Sequence, residues 1–289
     1  MRPEARLSLK NAAVECALGR LLPTGGTTID RAMRYAVIPG GKRFRPLLLL
    51  AAGGCFGARL GLLLPFACAL ELIHCYSLVH DDLPAMDDDD LRRGRPSCHK
   101  AFGEAAAILA GDGLLTLAFE TMAAARVPNS LLAAKQEAMR AVGGRAGVRG
   151  MIGGQWLDIS LVPEKASRRA LDVINSKKTG ALILGAVEAG ALLGRAGAAD
   201  RQAMADYGKN IGLAFQVRDD ILDSGGGAAG GRPARPDQTA LYGLAGSRAR
   251  LTRLVGEAVE AIDRFEERGA ELRYLAGLLL DAGRRAQDA

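Results

Sequence analysis

The chain has 289 residues, of which 49% are hydrophobic, 24% charged and only 4% aromatic, with a formal net charge of +6. That charge is modest for the length and no basic stripe interleaved with aromatic residues occurs, which argues against nucleic acid as partner and suits small anionic substrates. Alanine and leucine dominate and no alternating strand pattern recurs, so an all-α fold is expected, with residues 1–289 in a single domain.

Helices are predicted over residues 4–19, 42–55, 61–83, 100–124, 130–147, 166–175, 177–195, 199–223, 240–262 and 265–284, with no internal repeat and no interdomain linker. The first ten residues, MRPEARLSLK, carry no hydrophobic signal region, which fits a cytoplasmic protein. Leu47 to Leu70 is nearly uncharged and long enough to raise the question of a membrane span. Gly53, Gly54, Arg59 and Pro65 interrupt it, so two buried core helices meeting near residue 58 are expected and no membrane span. Cys16, Cys55, Cys68, Cys75 and Cys98 have no CxxC spacing and read as reduced, mostly buried thiols. His74, His80 and His99 fall near Cys75 and Cys98, which raises zinc, but the neighbouring hard carboxylates favour magnesium.

Five segments and one histidine carry chemistry. Gly40-Gly-Lys-Arg-Phe-Arg-Pro46 sets Lys42, Arg43 and Arg45 behind two glycines, where backbone can approach an anion closely; an ordinary basic helix start is the plain alternative. His80 to Arg95 packs six aspartates, Asp81, Asp82 and Asp87 to Asp90, against Arg92, Arg93 and Arg95. Pro84 disfavours helix before it, so the apolar helix should end here, and its terminal carbonyls add to the carboxylates in favouring a hard divalent cation. A solvated acidic turn paired with arginines is the bland reading. His74, seven residues before Asp81, lies two turns lower on the same face, roughly 10 Å away. Gln155 and Asp158 in GGQWLD place polar groups in an apolar helix, where a structural hydrogen bond is the alternative to a ligand. Lys177, Lys178 and Thr179 before Gly180 offer a phosphate contact or a surface turn. Far downstream, Gln216, Asp219 or Asp220, and Asp223 recur at helical spacing and line one stripe, giving a second carboxylate clamp. Magnesium binds through one or two carboxylates plus substrate phosphates, so two clamps suit several ions gripping one diphosphate.

GGKRFRP, ELIHCYSLVHDDLPAMDDDDLRRGRPSCH, FGEAAAILAGDGLL, GGQWLD, KTGALI and GLAFQVRDDILD occur in the order seen in trans-polyprenyl diphosphate synthases, and the chain most resembles the bacterial farnesyl diphosphate synthases among them. The resemblance implies long antiparallel helices around a deep central cavity, a homodimer, and condensation of isopentenyl diphosphate with an allylic diphosphate. Position by position it implies Asp81 and Asp87, with Asp82 beside them, as ligands of the first aspartate-rich motif, and Asp219, supported by Asp220 and Asp223, in the second. Mg²⁺ is the implied cofactor, as three ions, with Mn²⁺ as a substitute. Gly41, Lys42, Arg45, His74 and Arg93 match contacts to isopentenyl diphosphate; Arg92, Lys178, Thr179 and Gln216 match contacts to the allylic substrate. Tyr76 and Ser77, five and four residues before Asp81, match the positions that limit chain length and point to a C15 product.

The chain departs from that pattern after Asp223, where two Gly-Lys pairs flanking an aspartate are expected. SGGGAAGGRPARPDQTALYGLAG contains no lysine; Arg232 stands nearest the first lysine, Arg235 is a second candidate and Asp237 the aspartate. Three alternatives to a farnesyl diphosphate synthase follow: a geranylgeranyl diphosphate synthase, a regulatory subunit on the same fold, and a terpene cyclase or head-to-head synthase. Lys42, Arg45 and His74 argue against a cyclase, which has no second diphosphate to hold.

Overall fold

The leucine- and alanine-rich segments form helices throughout a computed structural model that describes residues 1–161, 167–224 and 238–285. The first, α1 (Pro3–Leu21), begins on a proline, whose missing N–H costs nothing in a first turn. Helix α2 (Thr28–Val37) falls where none was expected. Thr27 Oγ1 accepts from the Asp30 backbone N–H at 3.1 Å while the Asp30 carboxylate accepts from the Thr27 N–H at 3.2 Å. This reciprocal cap starts the helix, and burial of Ala32, Met33 and Val37 holds it.

Helices α3 (Phe44–Cys55) and α4 (Leu60–Asp81) meet at residues 56–59 as the glycine pair and Arg59 suggest. Pro65 does not interrupt α4; it lies in the second turn, where only one intrahelical bond is lost and Phe66 to Ile73 are fully packed. Helix α4 ends at Asp81, two residues short of the predicted Leu83. The chain then doubles back so that the Asp87 N–H donates to the Asp81 carbonyl at 2.8 Å, which brings the two aspartates together through backbone alone. A two-residue antiparallel ladder, β1 (Leu91–Arg92) with β2 (Arg95–Pro96), closes the loop around Gly94.

The helix predicted over 100–124 is two, α5 (Cys98–Phe102) and α6 (Glu104–Ala124), because Gly103 adopts φ 84°, a conformation glycine alone takes easily. Then come α7 (Leu132–Ala146), α8 (Met151–Ile159), α9 (Arg168–Lys178), α10 (Gly180–Leu193), α11 (Ala198–Asp223), α12 (Gln238–Ala261) and α13 (Ala270–Arg285), the last two joined by a 3₁₀ segment, Asp263–Gly269. The all-α expectation holds. Helix α4 packs on α3 and α6, and α10 packs on α3, α7 and α11, so these two apolar helices form the centre of a core running from Leu7 to Leu279. Helices α4 and α6 are long and apolar enough to cross a membrane by length and composition alone. Most of α4 is buried among its neighbours, whereas α6 leaves Ile108 and Leu109 exposed. All five cysteines are free; Cys16 is exposed and the other four are buried.

Candidate active site

Three elements converge on Asp81, at the end of α4. Gln155 of α8 donates a hydrogen bond to its Oδ1. Lys178, the last residue of α9, puts Nζ 3.5 Å from Asp81, 3.9 Å from Asp87 and 2.8 Å from Asp158. Helix α8 approaches so closely that a Cβ on Gly154 would lie 2.1 Å from the Lys178 backbone nitrogen, so glycine is required there. Burial pushes the Asp81 carboxyl up to about 6; Lys178 pulls against this and Asp87 adds to it. For Lys178, burial opposes the charged form, but Asp81, Asp158 and Asp87 outweigh it and its pKa is raised. Three carboxylates thus share one half-buried positive charge. Their hard oxygens have the chemistry magnesium prefers. Among the described residues no three His, Cys, Asp or Glu side chains gather into a metal cage, so a bound cation would need ligand oxygens besides those of the protein.

Asp82, expected beside the metal ligands, faces elsewhere: it is buried and accepts from Arg92 Nε at 2.9 and 3.3 Å. Burial raises its pKa against the pull of Arg92. Arg92 also bonds Asp89 at 3.0 Å, so the arginine expected to meet the allylic substrate is braced by two aspartates of its own loop. Adjacent residues at a helix end do not share a face, so Asp81 meets Gln155 and Lys178 while Asp82 meets Arg92.

On α11 the expected single stripe resolves into two. Gln216 Nε2 donates to Asp220 at 2.8 Å and its Oε1 accepts from Thr179 Oγ1 at 2.8 Å, tying α11 to the α9–α10 junction. Asp219 instead accepts from its neighbour Arg218 at 3.1 and 2.5 Å. Asp220 is buried and Asp223 is exposed.

The basic segment before α3 divides in the same way. Arg43, read with Lys42 and Arg45 as an anion contact, is buried and bonds Glu15 at 2.7 Å, Glu71 at 2.6 Å and the Val37 carbonyl at 2.8 Å. Its φ of 49° turns the side chain inward, and it serves structure. Lys42, Arg45, His74 and Arg93 do come together, with Gly41, around a cavity of about 190 Å³. Arg45 Nε is buried without a partner among the described residues, and burial, then the charges of Arg45 and Arg93, hold the His74 pKa well below its usual value, so the imidazole is neutral at pH 7.

Arg45 and His74 also line a second cavity of about 560 Å³. Its polar end holds Asp81, Gln155, Lys178 and Thr179, while Met86, Leu115, Met151, Ile152 and Ile159 make an apolar wall. Tyr76 and Ser77 line it too, as their positions before Asp81 imply. Tyr76 is only 5% exposed, and burial pushes its phenol up to about 12. A wider cleft of about 800 Å³ between α7, α10 and α11 contains none of these motif residues. Arg232, Arg235 and Asp237 lie outside the described residues. Sequence reasoning noticed Gln155 and Asp158 without assigning them to the site, although two polar residues one helical turn apart among apolar neighbours were the signal. It passed over Arg218 entirely.

Comparison with known proteins agrees with this geometry. Residues 27–239 match the polyprenyl synthetase family. The chain is 40% identical to farnesyl diphosphate synthase of Geobacillus stearothermophilus, over 96% of both chains, and 42% identical to that of Escherichia coli K12, over 89% of both. Its structure is similar to that of a geranyltransferase from Legionella pneumophila, with a TM-score of 0.88 and 35% identity over 98% of both chains. An aspartate pair on Lys178, a separate basic cavity and a match over most of the sequence lead to one statement: this chain belongs to the polyprenyl synthetase family.

Proposed function

We propose that the protein is a trans-prenyltransferase that condenses isopentenyl diphosphate with dimethylallyl and then geranyl diphosphate to give farnesyl diphosphate and pyrophosphate. The observation that carries this is the pairing of a cavity of about 190 Å³ ringed by cations with one of about 560 Å³ that is charged at one end and apolar along its wall. The first suits a small diphosphate and the second a diphosphate with a hydrocarbon tail. Asp81 and Asp87, with Asp219 from α11, are the residues that would hold Mg²⁺, or Mn²⁺ in its place, as up to three ions. Bound there, the metal would neutralise charge on the departing diphosphate.

The chain's own residues then have definite tasks. Lys178, and Arg92 braced by Asp82 and Asp89, stabilise pyrophosphate as the allylic C–O bond breaks and its electron pair leaves with oxygen. Lys42, Arg45, Arg93 and neutral His74 hold isopentenyl diphosphate so that its double bond attacks the allylic carbon. A proton then leaves the product cation, and pyrophosphate is the nearest base. Tyr76, on the cavity wall below Asp81, limits the tail. A homodimer is supported by Ile108 and Leu109, exposed side by side on α6. Free cysteines support a reducing, cytoplasmic setting.

Incorporation of radiolabelled isopentenyl diphosphate with C5, C10 and C15 allylic partners tests the reading. A C15 product with Mg²⁺ is expected. Use of the C15 partner to give C20 would indicate the geranylgeranyl activity, and diphosphate binding without turnover a regulatory subunit.

A further inference from the structure

We propose that Arg218 is a further cation of the isopentenyl diphosphate site, held in reserve by Asp219 until that carboxylate is otherwise engaged. The inference rests on the reading above of the 190 Å³ cavity. Arg218 lines this cavity from α11 together with Lys42, Arg45 and Arg93, which come from other parts of the chain. It is 8% exposed, as is Arg45, and both guanidiniums lie over one ring, Phe215, at 4.3 and 5.6 Å from its centre. Two buried like charges sharing a ring repel each other, and that arrangement becomes favourable when an anion sits between them. Arg43 contributes little to such an anion because Glu15 and Glu71 already neutralise it.

The second observation concerns neighbours on a helix. Side chains at adjacent positions point about 100° apart and do not normally meet. Arg218 nevertheless folds back onto Asp219, reaching it through two nitrogens at 3.1 and 2.5 Å. One side chain therefore touches both the carboxylate of the second aspartate motif and the wall of the basic cavity. A cation ligated by Asp219 competes for that carboxylate, and the released guanidinium has the cavity's anion as its next partner. Occupation of the allylic side would thereby tighten the isopentenyl side, a coupling that must be reciprocal.

Equilibrium binding of isopentenyl diphosphate to the full chain, without allylic substrate, tests this apart from turnover. The wild type is expected to bind about 10-fold more tightly with Mg²⁺ than with a chelator, a difference of ~1.4 kcal/mol. Arg218→Gln should bind weakly in both conditions and lose most of that difference, while Arg218→Lys, which keeps the charge and the stem over Phe215, should recover part of it. Asp219→Asn, which frees Arg218, should bind tightly even in chelator. The Arg218→Gln, Asp219→Asn pair must lack that gain. A gain that persists in the double variant would be a simple charge effect and would overturn the latch, as would an Arg218→Gln protein that binds like wild type. Should Arg218→Gln fail to fold, the Asp219→Asn and Arg218→Lys results still decide. Wild-type protein that neither binds isopentenyl diphosphate nor condenses it would instead remove the functional reading, and this inference with it.

Discussion

The two aspartate-rich helix ends have nearly the same sequence and different physics. At the end of α4, Asp81 has a side chain 14% exposed, shares a half-buried ammonium with Asp87 and Asp158 and has a carboxyl pushed up to about 6 by burial. At the end of α11, Asp219 has a side chain 35% exposed and is held by its own neighbour. Behind Asp81 the helix wall is Tyr76, which faces the apolar cavity. The residue five before Asp219 is Ala214, and nearby Gly212 packs so tightly that a Cβ there would lie 2.7 Å from the Gly180 Cα. The α4 end is built to strain a charge beside a tail-sized cavity; the α11 end is built to pack on α10 and present a carboxylate. The same motif thus yields a charge-concentrating half and a presenting half.

The comparison is most exposed to removal of the carboxylates. Asp81→Ala should lower turnover by about 10² to 10³-fold or more while the helical fold survives, since the lost group acts on developing charge and not on packing. Asp219→Ala should also lose activity, and if both halves grip one diphosphate the double variant should lose much less than the product of the two. Steady-state rates with circular dichroism as a folding control check this. Independent, multiplying effects would break the idea of a shared diphosphate.

Next in size is the strain itself. The folded-state pKa of Asp81 near 6 stands above the unfolded value near 3.9, so the folded protein binds the extra proton between those limits. Stability from this group is therefore full below about pH 4 and falls as pH rises toward 6. Asp81→Asn removes the ionisation, so in metal-free buffer it should be about 1 to 3 kcal/mol more stable than the parent at pH 7.5 and close to it at pH 4.5. Urea midpoints at the two pH values give the answer, and a pH-independent difference would show that burial of Asp81 stores no strain. By the same sign, Mg²⁺ affinity should increase as pH rises through about 6.

Much of this architecture was legible in advance, for reasons that also explain what was not. The long apolar helices and the glycine breaks before α4 follow from local periodicity, and the aspartate, lysine and histidine positions follow from ordered motifs. Helix α2 was missed because it is short and its stability comes from the Thr27–Asp30 cap and three buried side chains, a signal smaller than an apolar run. By spacing alone Arg43 could not be told apart from Lys42 and Arg45, because the three cations stand side by side in sequence. Only Glu15 and Glu71, each 28 residues away, decide which of the three turns inward. The Asp82–Arg92 pair was equally hidden, since Arg92 becomes adjacent to Asp82 only through the β1–β2 turn. Side chains whose role depends on a partner distant in sequence are the ones local reasoning loses.

The smallest effects separate the two helix walls. Tyr76→Ala opens the cavity beneath Asp81 and should shift products toward C20 or longer, read by chromatography of the dephosphorylated alcohols; an unchanged C15 profile would take the limit on chain length away from α4. Tyr76→Phe isolates the ring from its hydroxyl. That hydroxyl is buried with no hydrogen-bond partner among the described residues, an arrangement that costs free energy in the folded state. Removing it should leave product length unaltered and stability unchanged or increased by up to about 1 kcal/mol, because the ring alone fills the space and the orphaned group disappears. A product shift with Tyr76→Phe would mean that the hydroxyl, and not the bulk of the ring, meets the growing chain. Loss of stability by more than about 1 kcal/mol would mean that the hydroxyl has a partner in solution, and the wall behind Asp81 would then be polar where the wall behind Asp219 is not.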